Sequence, residues 1–142
     1  MIAFLARLIF SALVILASPS IGYAEDKGRI KIELNKVETV SENCLLSFVV
    51  SSKLPTDIEK IAYEFVIFDK EMRVERMTVF DFKSLPASKL KVRQFQLGKT
   101  KCDNLGRLLI NDASSCTGQG IEPSICLKEL VLDNRTEVEF LN

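Results

Sequence analysis

IEKIAYEFVIF, residues 58–68, is the clearest secondary-structure signal in this chain. Apolar side chains fill every second position of its centre, at Ile61, Tyr63, Phe65 and Ile67. That alternation is typical of a β-strand with one buried face. Thr56 and Glu59 also match a helix capping box, but the aromatic and β-branched residues that follow favour a strand. We therefore predict a strand here, with room for one helical turn before it.

The same pattern of short alternating apolar segments, separated by polar breaks, extends through the rest of the chain. Further strands are predicted at 30–35, 44–50, 72–82, 90–97, 107–111, 125–132 and 136–141. The segment 125–132 is also compatible with a short helix, because it follows Pro123. Seven or eight short strands without a long helical pattern predict an all-β fold, an immunoglobulin-like β-sandwich.

Two predicted strands have an irregular sidedness. In the hairpin partner of residues 58–68, Val74, Phe80 and Phe82 lie on one face and Met77 and Val79 on the other. The sequence therefore does not decide which face of this strand is buried. In the strand predicted at 90–97, Leu90 and Val92 lie on one face, and Phe95 and Leu97 lie on the other. One extra residue would bring all four to the same face. We therefore predict a β-bulge near Arg93 and Gln94.

The hairpin region resembles a known family of domains. The motif consists of the strand Ile61–Asp69, the turn Lys70-Glu71, and Leu85-Pro86 leading into Leu90-Lys91-Val92. It resembles the bacterial immunoglobulin-like domains of the FxLYD type, although Glu71 and Ala87 stand where that family has glycine. The four-cysteine arrangement is also similar to that of small exported proteobacterial proteins. These resemblances imply an immunoglobulin-like fold, a periplasmic location and no particular activity.

The first 24 residues have the order of a secretory signal peptide. Arg7 supplies a positive charge, Leu8–Ala17 is an apolar run, and the small residues Gly22 and Ala24 precede a cut before Glu25. An uncut anchor would need about 20 consecutive apolar residues to cross the bilayer, which this run does not reach. We predict a signal peptide over 1–24, a single domain over 25–142, periplasmic or secreted location, and no stable membrane insertion after cleavage.

Four cysteines, Cys44, Cys102, Cys116 and Cys126, are predicted to form structural disulfides. They lie at least ten positions apart, whereas metal sites and redox centres use closely spaced pairs. An even number of cysteines in an oxidising compartment implies disulfides, with three connectivities open. The preferred pairing joins Cys44 to Cys102 and Cys116 to Cys126, because the glycine- and proline-containing segment between the last two can double back.

Composition gives little basis for catalysis, cofactors or nucleic-acid binding. The chain has no histidine, which removes the usual general base near neutral pH. Its 19 basic and 19 acidic residues are balanced, and no basic block is interleaved with aromatic residues. The acidic candidates for a carboxylate pair all fall on predicted turns or solvated strand faces, at Glu64, Asp69, Asp81, Glu137 and Glu139. We predict no catalytic residues, no cofactor site and no nucleic-acid partner.

No metal site is predicted either. The dipeptides Asp103-Asn104 and Asn111-Asp112 are rich in oxygen atoms, but calcium takes six or more oxygen ligands and turns account for such residues. The predicted function is a non-catalytic exported β-sandwich that binds another protein or an envelope component. The alternatives are a secreted inhibitor or effector that uses the loop closed by Cys116 and Cys126, and, less favoured, a carboxylate-dependent enzyme.

Overall fold

The computed structural model describes residues 29–142, so the predicted signal peptide and its cleavage site lie outside the described residues. Eight strands, one short helix and one 3-10 turn follow each other along this part of the chain. In order they are β1 (Ile30–Val40), β2 (Asn43–Ser52), β3 (Ile58–Asp69), β4 (Val74–Leu85), β5 (Leu90–Leu97), the 3-10 turn Cys102–Asn104, β6 (Leu105–Thr117), α1 (Ile125–Lys128), β7 (Leu130–Asn134) and β8 (Glu139–Leu141).

The strands form two four-stranded sheets that pack face to face. Sheet A has the order β5-β2-β1-β7, and sheet B has the order β4-β3-β6-β8. Most neighbours are antiparallel, but β7 runs parallel to β1, with Leu130 opposite Ile30, and β8 runs parallel to β6, with Phe140 opposite Leu108. The predicted all-β sandwich is confirmed, with eight strands and two disulfides.

Aromatic side chains fill the space between the sheets. Phe48 of β2 is fully buried, and its ring centroid lies 5.5 Å from that of Phe82 and 5.7 Å from that of Phe140. Phe65 of β3 lies 5.9 Å away in an edge-to-face arrangement. Such offset pairs add about 0.5–1.5 kcal/mol to the hydrophobic free energy of burial. Phe48 therefore joins sheet A to both the first and the last strand of sheet B.

The predicted buried faces of β2 and β3 are confirmed. Every second residue of each strand is buried, namely Cys44, Leu46, Phe48 and Val50 in β2 and Ile61, Tyr63, Phe65 and Ile67 in β3. The strand over 58–68 begins at Ile58, as its aromatic and β-branched residues favour over a helix. The alternation of apolar residues was a sufficient guide here because both strands lie inside their sheets.

The predicted β-bulge near Arg93 and Gln94 is wrong. β5 pairs with β2 in unbroken register from Leu90 to Leu97, so Leu90 and Val92 point outward and are 67% and 56% exposed. Arg93 has the inward parity instead. Its guanidinium donates to the backbone carbonyls of Phe82, at 2.7 Å from Nε, and Ser84, at 3.2 Å from Nη2. A basic side chain can point inward here because it reaches polar backbone at the open side of the sandwich.

The structure also settles the sidedness of β4. Phe80 and Phe82 are buried, whereas Met77 and Val79 are 55% and 52% exposed on the outer face of sheet B. The register with β3 shifts next to Val74, which leaves that side chain outside the core as well. Buried residues of β4 therefore begin only after its first register shift, and the parity changes again between Phe82 and the buried Leu85, where Lys83 has a positive φ.

The last third of the chain departs from the predicted boundaries. Residues 125–132 contain both predicted alternatives in succession, the helix α1 and the start of the strand β7. β6 is much longer than the predicted 107–111, and β8 covers only the end of the predicted 136–141. None of the helices in the described part of the chain is long and apolar enough to cross a membrane.

Candidate binding surfaces

The two disulfides secure opposite parts of the sandwich. Cys44, at the start of β2, is bonded to Cys102 in the 3-10 turn after β5, with Cα atoms 4.8 Å apart. Cys116, near the end of β6, is bonded to Cys126 in α1, with Cα atoms 6.0 Å apart. This is the pairing that the sequence favoured. All four sulfur atoms are used in these bonds, which leaves no free thiol in residues 29–142.

Tyr63 supports the second disulfide from inside the core. It is fully buried on β3, and its hydroxyl donates to the backbone carbonyl of Cys126 at 2.7 Å. Burial raises the pKa of the Tyr63 phenol far above its usual range, because the phenolate would lose its hydration. Tyr63 is therefore a neutral hydrogen-bond donor that holds α1 against sheet B.

The loop between Cys116 and Cys126 lies against the end of the sandwich. Ile121, the apolar residue of this loop, is half-buried and packs against the core. Gly118 approaches the backbone so closely that an added Cβ would lie 2.7 Å from the carbonyl oxygen of Asp57. Because Ile121 packs against the core and Gly118 lies against the backbone, neither is free to project into a partner's cleft. The inhibitor alternative therefore gains no support from the geometry of this loop.

The acidic candidates from the sequence are distributed over separate structural roles. The Asp69 carboxylate accepts from the backbone N–H and the Nε of Arg73, both at 2.9 Å. Asp81 accepts from the backbone N–H of Lys83 at 2.8 Å. Glu64 accepts a hydrogen bond from Asn111, and Glu139 forms an ion pair with Arg107. Glu137 borders a groove that is described below. The hydrogen bonds to Asp69 and Asp81 lower the pKa of each carboxyl group.

The oxygen-rich dipeptides do not assemble a metal site in the described residues. Asp103 and Asn104 lie in the 3-10 turn, and the Asp112 carboxylate accepts from the adjacent backbone N–H of Ala113 at 2.7 Å. No group of three or more Cys, Asp or Glu side chains in residues 29–142 is arranged to hold a metal ion. Asp103 and Asn104 thus have the turn geometry expected of Asp and Asn, whereas Asn111 and Asp112 lie inside β6 instead of in the predicted turn.

A groove of about 490 Å³ opens at one end of the sandwich. Lys36, Lys70 and Arg135 border it together with Asp103 and Glu137, so its charges are mixed. The Arg135 guanidinium donates to the buried carboxylate of Glu33 at 2.9 Å, which makes it part of the fold. The groove therefore shows no consistent charge.

The outer face of sheet B carries a continuous row of apolar side chains, which we call the apolar stripe. Its members are direct neighbours in the strand register: Met77 of β4 lies opposite Val66 of β3, Val66 opposite Leu109 of β6, and Leu109 opposite Leu141 of β8. The stripe thus crosses all four strands. Its two ends, Met77 and Leu141, are 55% and 38% exposed, and Val79 extends it along β4. Between the ends, Leu109 is half-buried and Val66 is only 7% exposed.

Polar pairs lie on both sides of the apolar stripe, before and after it along the strands. On one side Arg107 pairs with Glu139 at 2.6 Å, and its guanidinium lies 5.6 Å from the centre of the Phe68 ring. On the other side Asn111 donates to Glu64 at 2.7 Å. An apolar centre with a hydrogen-bonded polar rim is the usual anatomy of a protein–protein interface. The sequence showed Met77 and Val79 on one parity, but not that Leu109 and Leu141 continue the same row.

The fold and its surfaces define a disulfide-bonded β-sandwich with a row of apolar side chains across the outer face of sheet B. No family model matches the chain. No curated protein matches it. Among solved structures it is similar to IrmA from Escherichia coli, with a TM-score of 0.58 and 12% sequence identity over 72% of this chain and 89% of that one. At this identity the similarity shows the fold alone, and the FxLYD resemblance stays a prediction.

Proposed function

We propose that this protein is an exported, non-catalytic binding module that contacts a partner protein of the cell envelope through the apolar stripe. The observation that carries the proposal is the continuity of the stripe across four strands. Single exposed apolar residues are common on soluble proteins, but a contiguous apolar patch with a polar rim indicates an interaction site. On this proposal, binding buries Met77, Val79 and Leu141, while the Arg107–Glu139 pair stays at the rim.

Export is supported by the two disulfides. Structural disulfides persist in oxidising compartments and are rare in the bacterial cytoplasm. Both bonds join segments that the fold places side by side, Cys44 to Cys102 and Cys116 to Cys126. This agrees with the predicted signal peptide over 1–24. The proposed location is the periplasm or the exterior of the cell.

The absence of a catalytic role is also part of the proposal. Four of the acidic candidates have hydrogen-bond or ion-pair partners within the fold, namely Glu64, Asp69, Asp81 and Glu139. A general acid or base needs a group free to exchange a proton with a substrate. These carboxylates instead hold strands and turns, so we favour binding over catalysis.

Site-specific photocrosslinking in cells tests the proposal. A photoreactive amino acid replaces Met77 in the full-length chain, and a control replaces Thr39, an exposed residue of β1 in the other sheet. We expect a discrete crosslinked protein from position 77 and none from position 39. A crosslink to a second copy of the chain would show self-association instead of a distinct partner. Equal labelling at both positions would contradict the proposal.

A matched pair of valine substitutions provides the control for specificity. Val79 is 52% exposed beside the apolar stripe, and Val131 is 37% exposed on β7 in sheet A. We expect Val79→Lys to abolish the crosslink from position 77, because binding would bury a charged group next to Met77. Val131→Lys should leave it unchanged. Loss of the crosslink in both variants, with both proteins folded, would argue against the stripe as the contact surface.

A further inference from the structure

β5 differs from the other edge strands of the described chain in being both long and regular. It pairs with β2 over eight consecutive residues and has no strand on its other side. β4, by contrast, has three register shifts with β3 and a positive φ of 64° at Lys83. The Arg93 guanidinium donates to two carbonyls of β4 and to one carbonyl of β5, that of Val92. β7 and β8 are short. β5 is thus the edge best suited to accept another strand.

The charge around β5 has one sign. Residues 82–102 contain six Lys or Arg residues and no Asp or Glu, although the whole chain is neutral. Two of the six have partners, since Lys83 pairs with Asp81 and Arg93 binds carbonyls of β4. The remaining four, Lys89, Lys91, Lys99 and Lys101, make no ion pair with a carboxylate in residues 29–142.

The side chains of β5 alternate between apolar and basic at the N-terminal half of the strand. Leu90 and Val92 point outward and are largely exposed, while Lys91 has the inward parity and is half-buried. A strand placed beside β5 would meet apolar neighbours on one face and a cation on the other. Cross-strand pairs of apolar residues and of opposite charges each contribute about 0.2–1 kcal/mol.

The same charges disfavour pairing between two copies of β5. Two antiparallel copies paired about Leu90, or two parallel copies in register, would bring Lys89 and Lys91 of one chain close to those of the other, and like charges across strands are destabilising. Exposed regular edges otherwise tend to pair with each other and aggregate. The lysines therefore disfavour self-pairing in these registers without removing the hydrogen-bonding capacity of the edge.

We propose that the free edge of β5 binds an extended segment of a partner protein in which acidic and apolar residues alternate. The segment adds a fifth strand to sheet A, which is a recurring mode of peptide recognition. Its acidic side chains face Lys89 and Lys91, and its apolar side chains pack beside Leu90 and Val92. This edge lies on sheet A and is separate from the apolar stripe on sheet B, so the inference does not depend on the proposed function.

The test uses a capped eight-residue peptide of alternating valine and glutamate and the purified, disulfide-bonded protein. We expect saturable binding by calorimetry, and slower amide hydrogen exchange confined to residues 90–97. The double variant Lys89→Glu/Lys91→Glu should weaken binding by about tenfold or more, which corresponds to about 1.4 kcal/mol. The matched control Lys128→Glu, on α1 next to the opposite edge of sheet A, should bind as the unchanged protein does.

Two further probes separate backbone pairing from simple charge attraction. A peptide with the same sequence but N-methylated at alternate positions keeps its charges and loses backbone donors, so it should not bind. Equal binding of the methylated peptide would overturn the added strand. Vesicles of phosphatidylglycerol test a membrane instead of a protein partner. Failure of the peptide to bind, or lysine-dependent binding to vesicles alone, would overturn the proposal.

Discussion

Five non-glycine residues have a positive φ in the described chain, and each lies at a turn or a bulge. They are Ser41, Met72, Lys83, Ser88 and Lys99. The left-handed conformation costs an L-residue with a side chain about 1–2 kcal/mol relative to its preferred regions, and glycine avoids this cost. Met72 is of special interest, because it closes the turn between β3 and β4, where its backbone N–H donates to the Asp69 carbonyl.

Met72→Gly is predicted to stabilise the protein. Met72 has a φ of 60° and is 46% exposed, so the substitution relieves backbone strain and removes few buried contacts. We expect the free energy of unfolding to rise by about 0.5–1 kcal/mol, since the greater freedom of glycine in the unfolded chain offsets part of the gain. Urea denaturation measures the change. Met72→Ala keeps the strain and should show no increase; a gain of equal size in Met72→Ala would refute the explanation.

The carboxylate of Asp69 in the same turn makes stability depend on pH. Hydrogen bonds from the backbone and side chain of Arg73 hold the pKa of Asp69 below its ordinary value of 3.8. The unfolded chain therefore takes up this proton more readily than the folded one. The stabilisation is complete above about pH 4 and is lost as the pH falls through the folded-state pKa.

Asp69→Asn is predicted to reduce the loss of unfolding free energy that occurs when the pH is lowered. Unfolding by urea at pH 7 and pH 3 should show a smaller loss of stability on acidification for the variant than for the unchanged protein. Asp103→Asn, an exposed substitution in the 3-10 turn, serves as the control and should keep the full loss. If Asp69→Asn lost as much stability between pH 7 and pH 3 as the unchanged protein, Asp69 would not be the cause of the pH dependence.

At the level of the strands, the sequence was a good guide inside the sheets and a poor one at their edges. β3 has neighbours on both sides, so its apolar parity and its buried face coincide at Tyr63 and Phe65. In β5 the parity of Leu90 and Val92 suggested a buried face and a bulge that the structure lacks. Edge strands can expose apolar residues and turn a basic one inward, as Arg93 does, because the side of the sandwich is open.

The two disulfides are predicted to contribute differently to folding. Closing the 58-residue separation between Cys44 and Cys102 stabilises by about 4 kcal/mol on the chain-entropy model, and the ten-residue separation of the second bond by about 3 kcal/mol. Cys44 is fully buried next to the core of sheet A. We expect Cys44→Ser to abolish the accumulation of folded protein, and Cys116→Ser only to lower the thermal midpoint.

The yield of exported protein and thermal unfolding followed by circular dichroism measure these outcomes. The double variants Cys44→Ser/Cys102→Ser and Cys116→Ser/Cys126→Ser are the controls, because they leave no unpaired thiol to form a wrong bond. The prediction would be wrong if both Cys44 variants accumulated normally, or if both Cys116 variants failed to accumulate.

For the whole molecule, the predicted mature form begins at Glu25. Gly22 and Ala24 occupy the positions that signal peptidase recognises, and the intact mass of the protein recovered from the periplasm or the medium measures the cut. We expect the mass of residues 25–142 with two disulfides. A mass that includes residues 1–24 would instead indicate a domain held at the membrane by its uncut N-terminus.

The arrangement of the sheets is the part of the fold that sequence patterns could not supply. Alternation indicates which residues of a strand share a face, but it does not indicate which strands are neighbours. The apolar stripe depends on that information, because Met77 and Leu141 belong to strands at opposite edges of sheet B. The parallel placement of β7 and β8 was equally invisible, since their short apolar runs resemble those of antiparallel strands.

The parallel pairing of β1 with β7 has a consequence for the order in which the chain can fold. A chain that enters the envelope N-terminus first delivers Ile30 early, whereas its neighbour Leu130 arrives after the five strands β2 to β6 have passed. Until then β1 can pair with β2 only, and its other side presents unsatisfied backbone groups to any nearby strand. If the protein is exported as proposed, the speed of translocation sets how long β1 is exposed to wrong partners, and a chaperone that shields strand edges would act in that interval.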